Sequence, residues 1–414
     1  MEESARGAIA AAHATRLSEI LDAHREFRRH VVPLCAAETP ISDYVRGFLS
    51  DPIHEKYAMG GPLRPQPENF VGAEHVLNLH QLTIDLCREI YGARYADPRP
   101  LSGTSAVTAV LMTLSRPGDR ILLQTSASGG HASMLPVCLR LGLEVVELPY
   151  DFDRLQFDAD ECRALADGAD FVLIAPSDLL YAPDIAALSF DFDTTVIYDA
   201  TQTLGLIASG CLPAPLDAHP RLVISGGTHK TLPGPSSGLL MTNSDEIAAR
   251  LDAELSPKFV RHAHPHHMAA LCAALIEHQA VGIAYSGRIL QFAEALSRSL
   301  ADAGLSVIQD GSRTTETHQV FVHVAATELD DVYARAMETG LTLNAKRKSL
   351  FRDSGLRLGV QELARYKWTT SDVDRLGTLL AAVIENSAHT DQLRADVLAL
   401  TPLNEFADDM HLTQ

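Results

Sequence analysis

The chain has 414 residues, 46% of them hydrophobic, and a formal net charge of −19. That length fits a large domain with a smaller one, and a charge so negative repels nucleic acid and anionic lipid, so small ligands are expected in place of polyanions or membrane. Six scattered cysteines (Cys35, Cys87, Cys138, Cys162, Cys211, Cys272) form no CxxC pair or dense framework, which points to reduced thiols in a cytoplasmic protein.

The acidic start, Met1-Glu2-Glu3-Ser4, runs into a charged helical stretch over Leu17 to Arg29, unlike a signal peptide, and no run reaches the roughly 18 apolar residues of a membrane span. Pro62–Pro67 reads as a Pro-rich loop. Leu101-Ser-Gly-Thr-Ser-Ala opens a helix that stops near Ser115, before Arg116-Pro117-Gly118. Between residues 100 and 245, short β-branched runs alternate with helical stretches, the pattern of parallel βαβ units. The predicted strands are Arg120–Thr125, Glu144–Leu148, Phe171–Ala175, Thr195–Asp199, Leu222–Ser225 and Gly238–Thr242. From about residue 286 the pattern becomes helix, strand and helix, with strands at Ser306–Gln309, His318–His323 and Leu356–Val360. The expected division is an N-terminal helical segment and arm (1–90), a large domain (91–285) and a small C-terminal α+β domain (286–414).

In open α/β sheets ligands sit beyond the carboxyl ends of strands, so the residues following these runs carry the chemistry. Three groups stand out. Small residues opening the helix at Ser102-Gly103-Thr104 offer free N–H groups and a positive dipole end to a phosphate, besides being an ordinary N-cap. Asp199 ends a strand, where a carboxylate can pair with a pyridine nitrogen or simply cap a loop. Lys230 lies in the glycine-rich segment Gly226-Gly227-Thr228-His229-Lys230, where desolvation can lower its pKa and make it a nucleophile toward a carbonyl cofactor. In this order the three match a pyridoxal 5′-phosphate (PLP) site, with Lys230 as the covalent anchor.

Thr228-His-Lys-Thr-Leu-x-Gly-Pro235 resembles the cofactor-lysine segment of serine hydroxymethyltransferases. The resemblance extends over Lys56-Tyr57-Ala58, Gly72-Ala-Glu74, Gln81-Leu-Thr-Ile-Asp85, Tyr91-Gly-Ala93, Ser102-Gly103, Gly129-Gly-His131 and Ser354-Gly-Leu-Arg357-Leu-Gly359. It implies PLP fold type I, with a mostly parallel seven-stranded sheet in the large domain, and a homodimer with shared active sites. It further implies phosphate contacts from Ser102, Gly103 and Thr104, a ring-nitrogen partner in Asp199, and Arg357 as a bidentate clamp on an amino acid's α-carboxylate. Ser128, Ser177, Gln202 and Thr228 fall among the cofactor-binding positions, and Tyr57, His131 and His229 line the site.

The departures from the family are informative. Met59 stands where the family has its catalytic glutamate, Phe70 where it has a tyrosine, and Ser128 where it has the histidine that stacks on the ring. Gln202 and Ser236 replace another histidine and an arginine, and Lys258-Phe-Val-Arg-His-Ala-His-Pro-His-His267 replaces a Gly-rich loop. Within that run His264 and His267 are expected to touch substrate or phosphate across the dimer, and no metal site is expected because no cysteine or acid is interleaved. The departures remove proton-handling groups from where serine's hydroxyl and folate would react. The expected chemistry is a Cα carbanion made from a β-hydroxy α-amino acid. Two fates are open. In the lead expectation O2 intercepts the carbanion and yields a carboxamide, as in the PLP-dependent monooxygenase-decarboxylases of capuramycin-type antibiotic biosynthesis acting on nucleosidyl glycines. In the alternative the chain resembles L-threonine transaldolases, or is an aldolase, and works without folate; a classical serine hydroxymethyltransferase is the third reading.

Overall fold

The computed structural model describes residues 2–61 and 70–412, so the Pro-rich loop at 62–67 lies outside the described residues. Seven strands form the principal sheet: β1 (Tyr95–Asp97), β2 (Arg120–Leu123), β3 (Glu144–Glu147), β4 (Phe171–Ile174), β5 (Thr195–Asp199), β6 (Leu222–His229) and β7 (Pro233–Thr242). Their order is β1-β7-β6-β5-β4-β2-β3. Strands β3, β2, β4, β5 and β6 pair in parallel, and β7 runs antiparallel to both neighbours.

The central strands are apolar throughout because both faces of the sheet are covered. Side chains alternate between two cores: Leu122, Val172, Ile174 and Val196 join one, and Ile121, Leu123, Leu173 and Ile197 the other. Helix α1 (Glu2–Arg29) precedes this body, α2 (Glu74–Tyr91) packs in the first core, and α3 (Gly103–Leu114) packs Ala106, Val107, Val110 and Leu111 into the second. Helix α4 (Pro265–Asp302) is 38 residues long, packing early against α2 and β7 and later against α6 (Thr370–Glu385). It is apolar enough to span a membrane by length and composition, yet most of its apolar stretch is buried inside the protein.

Four antiparallel strands, β8 (Val307–Ile308), β9 (Gln319–His323), β10 (Asn344–Lys346) and β11 (Gly355–Gly359), form a second sheet in the order β8-β9-β11-β10, with α5 (Leu329–Thr339) between β9 and β10. Register fixes what faces the principal sheet. Asn344 lies directly opposite Arg357, and Lys346, two residues on, shares the face of Asn344.

The structure differs from the sequence reading at several places. Gly226–His229, expected as loop, continues β6, because β7 begins at Pro233 and pairs Pro233 with His229 and Gly238 with Gly227 across a bulge. The short edge strands β1 and β10 were not expected, since three residues carry no readable alternation. Helix α1 begins well before Leu17.

Candidate active site

The strand order turns between β2 and β4, and the loops after these strands are stitched together there. His131 N–H donates to Ala175 O (2.8 Å), and the N–H groups of Ser177 and Asp178 both donate to Gly129 O (2.8 and 3.0 Å). Gly129 has φ +91°, a conformation that costs a side-chain-bearing residue strain.

Lys230 occupies the turn between β6 and β7. Burial brings its ammonium from 10.5 down to about 8; Arg357 and Lys346 act in the same direction, while Asp199 and Asp178 oppose them. Among the described residues no hydrogen bond or ion pair engages its Nζ, so the amine is available to a carbonyl.

Asp199, at the end of β5, is buried, and its Oδ1 accepts from the Thr201 N–H (2.9 Å) and from the Thr201 hydroxyl. That hydroxyl in turn accepts from Gly227 N–H (2.6 Å). Among the described residues Oδ2 has no such partner and can meet a ring N–H. Gly103 must stay small here, since a Cβ would come within 2.8 Å of Gly227 N. At the start of α3 the Ser102 hydroxyl closes a capping box with Ser105 (3.1 Å), leaving the N–H groups of Gly103 and Thr104 to an external anion. A lysine without a partner, a carboxylate with one free oxygen and a helix N-terminus fit pyridoxal phosphate.

Two half-buried imidazoles flank this centre. His131 and His229 are both held below the ordinary histidine range, first by desolvation and then by the Lys230 charge, so both are neutral at pH 7. Ser133 N–H donates to His131 Nδ1 (3.3 Å), which puts the proton of the neutral ring on Nε2. Other expected residues turn to structural partners. Thr228 donates to Pro235 O (2.6 Å), and Ser128 to Thr125 O (3.3 Å). Gln202 donates to Ser177 O (3.0 Å) while its Oε1 accepts from Gln319 (3.2 Å).

Arg357 is held from two sides: NH1 donates to Ser177 O (3.0 Å) and Asp178 Oδ1 (2.9 Å), and NH2 to Asn344 Oδ1 (2.7 Å). Asp178, absent from the sequence reading, has no exposed side-chain surface and also meets Lys346 (2.9 Å) and Lys348 (2.5 Å). Burial pushes its carboxyl up, but Arg357, Lys348 and Lys346 outweigh this and hold it below the usual carboxylate range. In sequence it is only an acid one residue after Ser177, and the Asn-Ala-Lys-Arg-Lys run that starts thirteen residues before Arg357 is joined to it only by the pairing of the two strands.

Tyr57, His264 and His267 gather elsewhere. Tyr57 stacks on His262 (centroids 4.6 Å apart, planes 6° apart) and leans on Phe70 (4.9 Å). His264 meets His262, His266 and His267 at 5.8, 6.0 and 5.6 Å. Among the described residues no hydrogen bond or ring contact ties this group to Lys230, Asp199 or Arg357, and no cluster of three His, Cys, Asp or Glu is arranged to hold a metal ion.

The sheet order, the second, antiparallel sheet and the buried lysine at Lys230 together fit a PLP-dependent enzyme of fold type I. Residues 11–380 match the serine hydroxymethyltransferase family, and the chain belongs to it. It is 31% identical over 393 residues to serine hydroxymethyltransferase from Methanopyrus kandleri, covering 91% of this chain and 90% of that one. The enzyme of the same name from Pyrococcus horikoshii is 29% identical over 401 residues, covering 92% and 93%. In fold the chain is similar to L-threonine transaldolase from Pseudomonas fluorescens, solved in its internal aldimine state, with a TM-score of 0.91 at 22% identity over 99% of this chain and 95% of that one.

Proposed function

We propose that this enzyme is a folate-independent transaldolase: it breaks the Cα–Cβ bond of a β-hydroxy α-amino acid and passes the glycyl unit to a second aldehyde. The observation that carries this reading is the pair of neutral imidazoles, His131 and His229, beside Lys230. They supply proton transfer that Met59 and Phe70 cannot. Pyridoxal phosphate, when bound, supplies a sink for the electron pair left at Cα. Lys230, Asp199 and the N–H groups of Gly103 and Thr104 would hold it. Arg357 holds the α-carboxylate, His229 takes the β-hydroxyl proton and returns it to the aldehyde oxygen of the acceptor, and the Nε2–H of His131 donates a hydrogen bond that orients that oxygen.

A homodimer working in the cytoplasm accompanies this reading. Ile9, Leu17, Ile20, Leu21 and Phe27 of α1 are exposed at helical spacing, a stripe for a second copy to cover, and Tyr57, His264 and His267 would then serve the partner's site.

One feature supports the oxygen-dependent alternative. Ser128 is buried with its hydroxyl turned to its own loop, so no aromatic ring at that position covers the cofactor face. The test is to supply L-threonine with an aromatic aldehyde, and separately L-serine with tetrahydrofolate. Release of acetaldehyde with a new β-hydroxy amino acid supports the transaldolase. Rapid serine-to-glycine conversion that requires folate overturns it.

A further inference from the structure

The site holds more positive charge than an α-carboxylate can use. Around the single negative charge of Asp178 stand Arg357, Lys346 and Lys348, in a protein whose overall charge is −19. The lysine side chains are only 17% and 16% exposed, so water cannot be their main partner. Three cations packed on one buried carboxylate repel one another in a poorly solvated space, an arrangement that costs stability unless an anion completes it.

These cations also face the reacting centre. Lys346 shares the sheet face of Asn344, opposite Arg357, and bonds the same Asp178 oxygen as Arg357 does. Its charge reaches Lys230, and that of Lys348 reaches His131. A carboxylate on Arg357 leaves one positive charge over, close to the first.

We propose that the amino-acid substrate carries a second anion, a phosphate, phosphonate or carboxylate a few atoms from Cα, bound by Lys346 and Lys348. This rests on the reading that Arg357 takes the α-carboxylate. The second anion orients the side chain, so that the Cβ substituent is presented to His131 and His229 in one of its rotamers. Asp178 acts as a positioning residue, fixing all three cations without touching substrate.

The experiment is a spectral titration of the PLP holoenzyme with two pairs that differ in a side-chain anion, L-aspartate against L-asparagine and O-phospho-L-serine against L-serine. The wild type is expected to bind the anionic member of at least one pair ten times more tightly or better; which pair shows it distinguishes carboxylate from phosphate. In the Lys346→Gln/Lys348→Gln double variant, with Lys348→Gln as the milder form should the double variant melt early, that preference is expected to fall below twofold. Equal affinity within both pairs in the wild type, or a preference that survives the substitutions, overturns the second anion alone. A holoenzyme that responds to none of the four overturns the amino-acid reading and this inference with it.

Discussion

The centre at Lys230 and the ring cluster at Tyr57 are built by opposite means. Around Lys230, side chains come from the ends of β4, β5 and β6 and from β10 and β11, and they are cross-linked by charge-assisted bonds at Asp178, Arg357 and Asp199. Around Tyr57 the partners are aromatic and imidazole rings on two connecting segments and the first turn of α4, held by stacking. Strand ends fix atoms to within a bond length, which bond making and breaking requires; stacked rings on loops tolerate change, which suits choosing among substrates.

Substitutions sharpen that contrast. The largest effect is expected at Lys230: Lys230→Ala abolishes turnover while leaving thermal unfolding nearly unchanged, and borohydride reduction of the wild type fixes PLP on this residue. Label on Lys258 or Lys346 instead breaks the assignment. Asp178→Ala leaves three cations without their carboxylate and is expected to destabilise the fold by about 3–5 kcal/mol in denaturant titration. Wild-type stability in that variant would show that the cluster is solvated. Arg357→Lys gives up the planar fork, and loss of one charge-assisted bond, on the order of 1.5–3 kcal/mol, raises KM for the amino acid by roughly ten- to a hundredfold with kcat less affected. In the ring cluster, His262→Ala removes one stack on Tyr57, worth roughly 0.5–1.5 kcal/mol, and should shift aldehyde preference more than kcat. A kcat loss as deep as that of Arg357→Lys would erase the distinction between the regions.

The lowered lysine gives a pH signature for the first region. Only the neutral amine attacks a carbonyl, and its fraction grows as pH rises through the pKa. The rate at which apoenzyme takes up PLP should therefore rise with an inflection near 8, not near the ordinary 10.5. Asp199 raises this pKa, so Asp199→Asn should move the inflection lower.

The two regions also differ in how far the sequence disclosed them. Lys230, Asp199 and the start of α3 were legible because each follows an apolar run whose strand or helix sets its place, and the sheet was legible for the same reason. Asp178, Lys346 and Lys348 were not, because their meeting depends on the pairing of β10 with β11 and on the docking of two sheets, which no local pattern records. Gln202, expected beside the cofactor, proved to be hydrogen-bonded to Ser177 O and Gln319, a link across 117 residues of chain. The histidine run was visible as composition, but its stacking on Tyr57 was not, since no periodicity joins residues 57 and 262.

The central claim is that Lys230 and its two neutral histidines break a Cα–Cβ bond and keep every carbon of the amino acid. It is tested most directly by running the enzyme on β-hydroxy amino acids, with a nucleosidyl glycine among them, in an oxygen electrode and again under strict anaerobiosis, with product masses read in both. The account predicts equal rates, no oxygen uptake, and free aldehyde with glycine or its aldehyde adduct. Oxygen consumption matched by CO2 release and a carboxamide one carbon shorter would contradict it.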